Sequence, residues 1–235
     1  MEARVKELLT ELRSVSDPEI KRKKRDKFGI SAETSWGVYQ KDITELAKKI
    51  GKSTQLGIAL FDTGFYDARL LTAQLCKPKE LSEVLLEKWV VEFDTWEICD
   101  SFCMKLFKYH ELALKKAFEW AEREKEFEKR AGFVLMATYG FANKTAPNTV
   151  FESFLTVLES HANDQRIYVK KAVNWALRQV GKRNVDLKNM AIECAGRILL
   201  QESDSAKWIA KDAIRELQGE RVNILDYPRN IYRIK

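Results

Sequence analysis

Apolar residues recur along this chain at three- and four-residue intervals, and no stretch alternates apolar with polar as a half-buried strand would. The spacing predicts helices near 2–14, 17–27, 41–50, 53–63, 65–76, 80–93, 96–108, 111–124, 126–141, 148–161, 164–181, 187–201 and 204–218. Several carry readable punctuation. Asp17-Pro18 marks one helix start and Pro147 the first turn of another, because proline pre-sets φ where the backbone N–H has no intrahelical partner anyway. Asp94, with Glu97 three residues on, resembles a capping box ahead of the 96–108 helix. Gly51, Gly64 and Gly181 fall where a helix would close on a left-handed residue.

The second level of pattern is a repeat. Arg69, Asp100, Arg130, Lys171 and Asp212 are separated by 31, 30, 41 and 41 residues. One residue further on stand Leu70, Ser101, Ala131, Ala172 and Ala213, small or modest in four of the five cases. Two and six residues on come Leu71/Leu75, Phe102/Leu106, Gly132/Met136 and Val173/Leu177, with Ile214 starting the fifth set. One buried face thus returns on successive helices with a polar anchor beside it. Repeats of this length built from helix pairs indicate an all-α, curved α-solenoid of HEAT-like antiparallel pairs, although an ordinary helical bundle would also show such apolar pairs. No boundary is marked, so one domain is expected over 1–235, with helices of 1–50 as a clamp and 220–235 as a basic tail. In such an array the anchors line the inner surface, and with Lys129, Lys170 and Lys211 beside them that surface leans positive.

Composition narrows the class. Of 235 residues, 45% are hydrophobic and 32% charged, a globular balance, and the 10 glycines and 4 prolines are too few for a turn-rich sheet protein. The net charge of +6 suggests a polyanionic partner. No apolar run approaches a membrane span, and Met1-Glu2-Ala3-Arg4 does not begin a signal peptide. Cys76, Cys99, Cys103 and Cys194 have no disulfide spacing and only His110 and His161 for company, so buried thiols in a reducing, cytoplasmic setting are expected rather than a zinc site. No phosphate-cradling glycine loop is present, and neither a metal nor an organic cofactor is called for.

Three constellations could carry chemistry. Between Asp164 and Arg183 six positive residues stand against one negative, interleaved with Tyr168 and Trp175. The plain reading is a solvated helix with an aromatic core contact. The sharper one sets Lys170, Lys171 and Arg178 on phosphates, with Lys129, Lys182 and Arg183 nearby, and Trp175 on a sugar or base. The run from Lys21 to Arg25, followed by Lys27, is either a duplex-clasping element or a soluble helix face. Trp96 and Asp100, four apart, lie one above the other on a helix, an arrangement that fits a half-buried ring beside a surface acid as well as a site. Trp208 and Asp212 share the spacing.

Segments Phe93-Asp-Thr-Trp96-Glu-Ile-Cys-Asp100, Phe127-Glu-Lys-Arg130-Ala-Gly-Phe and Val169-Lys-Lys-Ala172-Val-Asn-Trp175-Ala-Leu-Arg178 resemble, in order and helical setting, the active-site segments of the AlkD-type alkylpurine DNA glycosylases, which are HEAT-like-repeat DNA alkylation repair enzymes. The resemblance spans roughly 40–218. It implies a curved helical stack that cradles duplex DNA and hydrolyses the N-glycosidic bond of 3-methyladenine or 7-methylguanine. By the same resemblance, Trp96 and Trp175 flank the lesion deoxyribose, Asp100 is the essential carboxylate, and Arg130 engages the DNA backbone beside the lesion. The family's N-terminal tyrosine has no clean counterpart around Lys24–Phe28. The partner expected is alkylated double-stranded DNA, met by a monomer on the bacterial nucleoid, with no membrane and no obligatory protein partner. Two other classes remain open: a non-catalytic binder of damaged or branched DNA on the same fold, and a protein–protein scaffold.

Overall fold

The helical periodicity is realised element by element. A computed structural model describes Met1–Gly219, and among these residues there are thirteen α-helices and no strand. The basic tail expected over 220–235 lies outside the described residues. The helices gather into two compact units, one of Met1–Glu111 and one from Leu112 onward. The division falls in Tyr109-His-Glu-Leu112, which carries neither glycine nor proline to mark it.

The first unit contains α1 (Glu2–Ser14), α2 (Pro18–Phe28), α3 (Gln40–Ile50), α4 (Thr54–Phe61), α5 (Tyr66–Leu75), α6 (Glu83–Val90) and α7 (Trp96–Lys105). Asp17 caps α2 by accepting from Glu19 N at 2.8 Å, with Pro18 opening the helix. α4 and α5 pair antiparallel: Ser53 N at the start of α4 donates to Leu75 O at the end of α5 (2.9 Å), and Thr72 Oγ1 donates to Gly57 O (2.9 Å). Phe61, Trp89, Phe93, Phe102 and Phe107 form the core between α4, α6 and α7, with Phe61–Trp89 and Trp89–Phe102 ring centroids 5.2 and 5.3 Å apart. The fully buried Asp67 in the first turn of α5 accepts from Trp36 N (2.6 Å), Val38 N (3.2 Å) and Ser35 Oγ (3.3 Å). Those bonds tie the 30–39 loop, and through it α2, to α5. Burial still pushes the Asp67 carboxyl above its ordinary range, against these donors.

The second unit contains α8 (Ala113–Ala121), α9 (Glu126–Ala142), α10 (Asn148–Ser160), α11 (Ile167–Gly181), α12 (Val185–Leu199) and α13 (Asp204–Gln218). α9, α11 and α13 run side by side in one direction. Arg130 near the start of α9 bonds Tyr168 O at the start of α11, and Arg183 just past α11 reaches Gly140 O near the end of α9 (3.5 Å). Likewise Lys170 lies over Trp208 near the start of α13, while Lys182 pairs with Glu216 near its end. α10 and α12 are the return helices, as antiparallel pairing requires. α9 is buried from Glu128 to Thr138, the signature of a helix packed on all sides.

Four sequence expectations are corrected. α7 is capped by Thr95, whose Oγ1 accepts from Ile98 N at 3.3 Å, not by Asp94; Glu97 is drawn elsewhere. Pro147 is the N-cap of α10 rather than a first-turn residue. α11 begins at Ile167 because the Asp164 carboxylate accepts from Arg166 N (3.0 Å), a local turn that competes with helix. Gly181 has no left-handed φ, unlike Gly51 and Gly64. It ends α11 under Leu217, where a Cβ would lie 2.7 Å from a Leu217 methyl.

Gly132 is the tightest contact of α9 with α8: a Cβ there would lie 2.3 Å from Ala121 N and 2.8 Å from Ala117 O. Backbone on the far side leaves nothing flexible to move aside. Gly132→Ala is therefore expected to destabilise the fold by about 1–3 kcal/mol, read as a lower urea midpoint. Gly196→Ala in α12, with open space at its Cβ, should instead be neutral or stabilising by up to about 1 kcal/mol. Equal effects of the two substitutions would refute this packing.

All four cysteines are buried. Burial pushes the Cys76 and Cys194 thiols up to about 12. At pH 8 a group of pKa about 12 is thiolate in roughly one molecule in 10⁴, and Cys99 and Cys103 are as fully enclosed as these two, so native protein should not react with a disulfide reagent on the time scale of minutes, and denatured protein should release four equivalents.

Candidate nucleic-acid interface

α7 sorts its side chains cleanly. Ile98, Cys99, Phe102 and Cys103 go into the core, while Trp96 and Asp100 are half-buried and Met104 is exposed along the other side. The indole and the carboxylate therefore sit one turn apart on one accessible line. The Trp96 ring is held in place: its Nε1–H donates to Phe28 O (2.9 Å), and the Phe28 ring meets it edge-on at 6.3 Å. Phe28 ends α2, just before the left-handed Gly29, and is itself 47% exposed.

A buried charge cluster stands directly behind that ring. Lys24 of α2 lies 2.9 Å from Glu97 Oε2, the same oxygen that accepts from Tyr66 OH at 2.6 Å, and the Lys24 ammonium is 4.9 Å from the Tyr66 ring centre. Burial first, and the Glu97 charge second, push the Tyr66 phenol far above its ordinary value, so it remains a proton donor to Glu97. Of the N-terminal basic run, Lys24 is thus spent on the fold. Lys21 donates to Glu33 O (2.9 Å), and Arg22 and Arg25 pair with neighbouring acids.

In the second unit α11 presents Lys171, Trp175 and Arg178 at positions i, i+4 and i+7, hence on one face. Lys171 is exposed, and the other two are half-buried. Among the described residues Lys171 has no ion-pair or hydrogen-bond partner, and Trp175 has no ring contact. Arg130 is 6% exposed, and its Nη1 donates to Tyr168 O at 2.5 Å, which brings α9 onto the first turn of α11. The Phe127 and Tyr168 rings meet at a tilt of 35° with centroids 5.4 Å apart.

The cations expected along a phosphate track divide into two groups. Lys170 and Lys171 stay at the surface. Lys129, 7% exposed, is turned inward to donate to Ala121 O (2.7 Å), and desolvation lowers its pKa. Arg183, 6% exposed, donates to Lys144 O (2.7 Å) and Ala146 O (2.9 Å) and stacks on Phe151 at 4.2 Å. Lys182 is buried against Glu216, which also pairs with Arg178; Arg178 Nε lies 3.7 Å from Asp212 as well. Ala121 O at the end of α8, the Lys144 and Ala146 carbonyls in the turn after α9, and Glu216 on α13 engage these donors, so Lys129, Arg183 and Lys182 each have a partner within the fold. The Asp212 carboxylate, one turn after Trp208, is neutralised by Arg178 and Arg215.

Sequence reasoning missed Phe28 and Glu97. The only trace of Phe28 was an aromatic ahead of glycine at a helix end, and Glu97 reads along the chain as a capping-box partner of Asp94.

Residues 8–217 match the profile of a protein family described as DNA alkylation repair enzyme. No curated protein sequence matches the chain. Among solved structures it is similar to one reported from a new family of proteins related to the HEAT-like repeat DNA glycosylases with affinity for branched DNA structures. That similarity has a TM-score of 0.73 at 20% identity and covers 90% of this chain and 94% of that one. At such identity the likeness shows the fold alone, which is the all-helical HEAT-like-repeat architecture. No helix among the described residues is long and apolar enough to cross a membrane.

Proposed function

The chain belongs to the DNA alkylation repair enzyme family, and from that premise we propose that it is a monofunctional DNA glycosylase that releases cationic N3- and N7-alkylated purines, such as 3-methyladenine and 7-methylguanine, from duplex DNA. The observation that carries this reading is the accessible line of α7, where Trp96, fixed by Phe28, stands one turn from Asp100.

The chemistry asks for little more. An alkylated purine carries a positive charge and is already a good leaving group. As the C1′–N bond breaks, its electron pair returns to the base and neutralises it, while positive charge develops on the deoxyribose. Water then bonds to C1′ and gives up a proton, leaving an abasic sugar and a neutral free base. A carboxylate at Asp100 stabilises the sugar cation and orients or deprotonates the water. The indole face of Trp96 attracts the same charge, contributing about 1–2 kcal/mol when desolvated, and Trp175, on the α11 face it shares with Lys171, is proposed to contact the DNA. Lys170 and Lys171 bind phosphates and release counterions. Arg130 is proposed to hold the DNA backbone, besides joining α9 to α11.

The test is incubation with N-methylated duplex DNA and chromatographic measurement of freed purine. Enzyme-dependent release of 7-methylguanine or 3-methyladenine is expected. A second reading, a non-catalytic DNA binder, is favoured by the branched-DNA affinity reported for the structural relative. Salt-sensitive DNA binding without any base release across several lesions would replace the first reading with the second.

A further inference from the structure

One aromatic and its surroundings are left unused by this reading. Trp208 on α13 is 41% exposed, an unusual position for an indole on a solvated helix face. The ammonium of Lys170, from the neighbouring α11, lies 5.3 Å from its ring centre. Lys207 precedes it, and Lys211 follows one turn on; both are exposed, and like Lys171 they have no ion-pair or side-chain hydrogen-bond partner among the described residues. Of the three acids of the same helix, the exposed Asp204 one turn before Trp208 is uncommitted, and the other two are already engaged. Asp212 is engaged by Arg178 and Arg215, and Glu216 by Arg178 and Lys182. This part of α11 and α13 thus presents a partly exposed indole with Lys170 at its ring, exposed Lys207 and Lys211 on the same helix, exposed Lys171 next to Lys170 in the chain, and Asp204 as the one uncommitted acid.

That combination has a specific chemical complement. Phosphates match the lysines, but the paired bases of a duplex are stacked on one another and offer an indole no free face. An unpaired nucleotide offers both a base plane and a phosphate, and base-on-aromatic stacking beside a cationic track is how single strands are held without sequence preference. We propose that Trp208, with Lys170, Lys171, Lys207 and Lys211, forms a subsite for an unpaired nucleotide segment: one base stacks on the indole, and its flanking phosphates lie on the lysines. The proposal rests on the DNA-binding reading above and assigns Trp208 to binding, not to catalysis.

The experiment compares blunt duplex DNA with the same duplex carrying a six-nucleotide single-stranded tail, using full-length protein and fluorescence anisotropy at fixed salt. Wild type is expected to bind the tailed DNA about tenfold tighter. Trp208→Ala should abolish that preference while leaving affinity for the blunt duplex within about twofold, and Trp208→Phe should keep part of it. Because Trp208 is exposed, the variants should fold, which circular dichroism checks. Lys211→Ala should lower the salt slope for the tailed DNA by about 0.7. Equal affinity of wild type for both DNAs, or an unchanged preference in folded Trp208→Ala, would overturn the subsite and leave the glycosylase reading standing. Failure to bind either DNA at low salt would overturn both.

Discussion

Asp100→Asn is expected to slow the release of 7-methylguanine from duplex DNA by about 10²–10³-fold while leaving duplex affinity unchanged or slightly improved. The substitution keeps shape and hydrogen-bonding capacity but removes a charge. A carboxylate about 4 Å from a developing unit positive charge is worth about 4 kcal/mol at an effective dielectric of 20, and 10²–10³ in rate corresponds to about 2.7–4.1 kcal/mol. The two figures agree, so electrostatics alone accounts for the effect. Affinity should not fall, because a carboxylate near a phosphate backbone opposes ground-state binding; stabilisation confined to the transition state lowers the rate constant, not the binding constant. Single-turnover release with enzyme in excess separates the two. A variant that released base at the wild-type rate would remove Asp100 from the mechanism. One that lost affinity and rate together would place it in binding or folding.

The largest effect on stability is expected from Glu97→Ala. Lys24 and Glu97 side chains are only 11% and 18% exposed at their 2.9 Å contact, and the same carboxylate accepts from Tyr66. Removing it leaves an ammonium and a phenol buried without their acceptor, and breaking a buried pair from one side costs about 3–5 kcal/mol. Residual solvent access places the expectation near the lower figure. Because Glu97 adjoins Trp96, and Lys24 sits one turn before Phe28, the loss should also loosen α2 and free the indole from Phe28 O. Denaturant unfolding should show the loss. The double variant Lys24→Met/Glu97→Leu should recover most of it, since two apolar side chains leave no orphaned charge. A Glu97→Ala protein as stable as wild type would mean that the pair is solvated in solution.

Helix count and order were legible because burial imposes a 3.6-residue period wherever a helix has one wet side. That is why the apolar sets after Arg69, Asp100, Arg130 and Lys171 reappear as the buried faces of α5, α7, α9 and α11. Helix ends were read less well. Thr95 and Asp94 are equally good caps on paper, and only the demand of Lys24 and Tyr66 on Glu97 separates them. Gly181 reads as a helix terminator until Leu217 is seen above it.

By itself, then, the sequence determined the class of fold, the helices that carry the candidate chemistry, and the placing of Trp96 with Asp100 and of Lys171 with Trp175 on common faces, since these follow from local geometry. Tertiary structure alone decided how the positive charges are used. Lysine and arginine look alike along a chain, but each has several donors and a long reach. Lys129 and Arg183 met carbonyls, and Lys24 and Lys182 met carboxylates, whereas Lys171, Lys207 and Lys211 stayed exposed. For Lys171, Lys207 and Lys211 the fold supplies no nearer partner, and their charge stays available to a ligand.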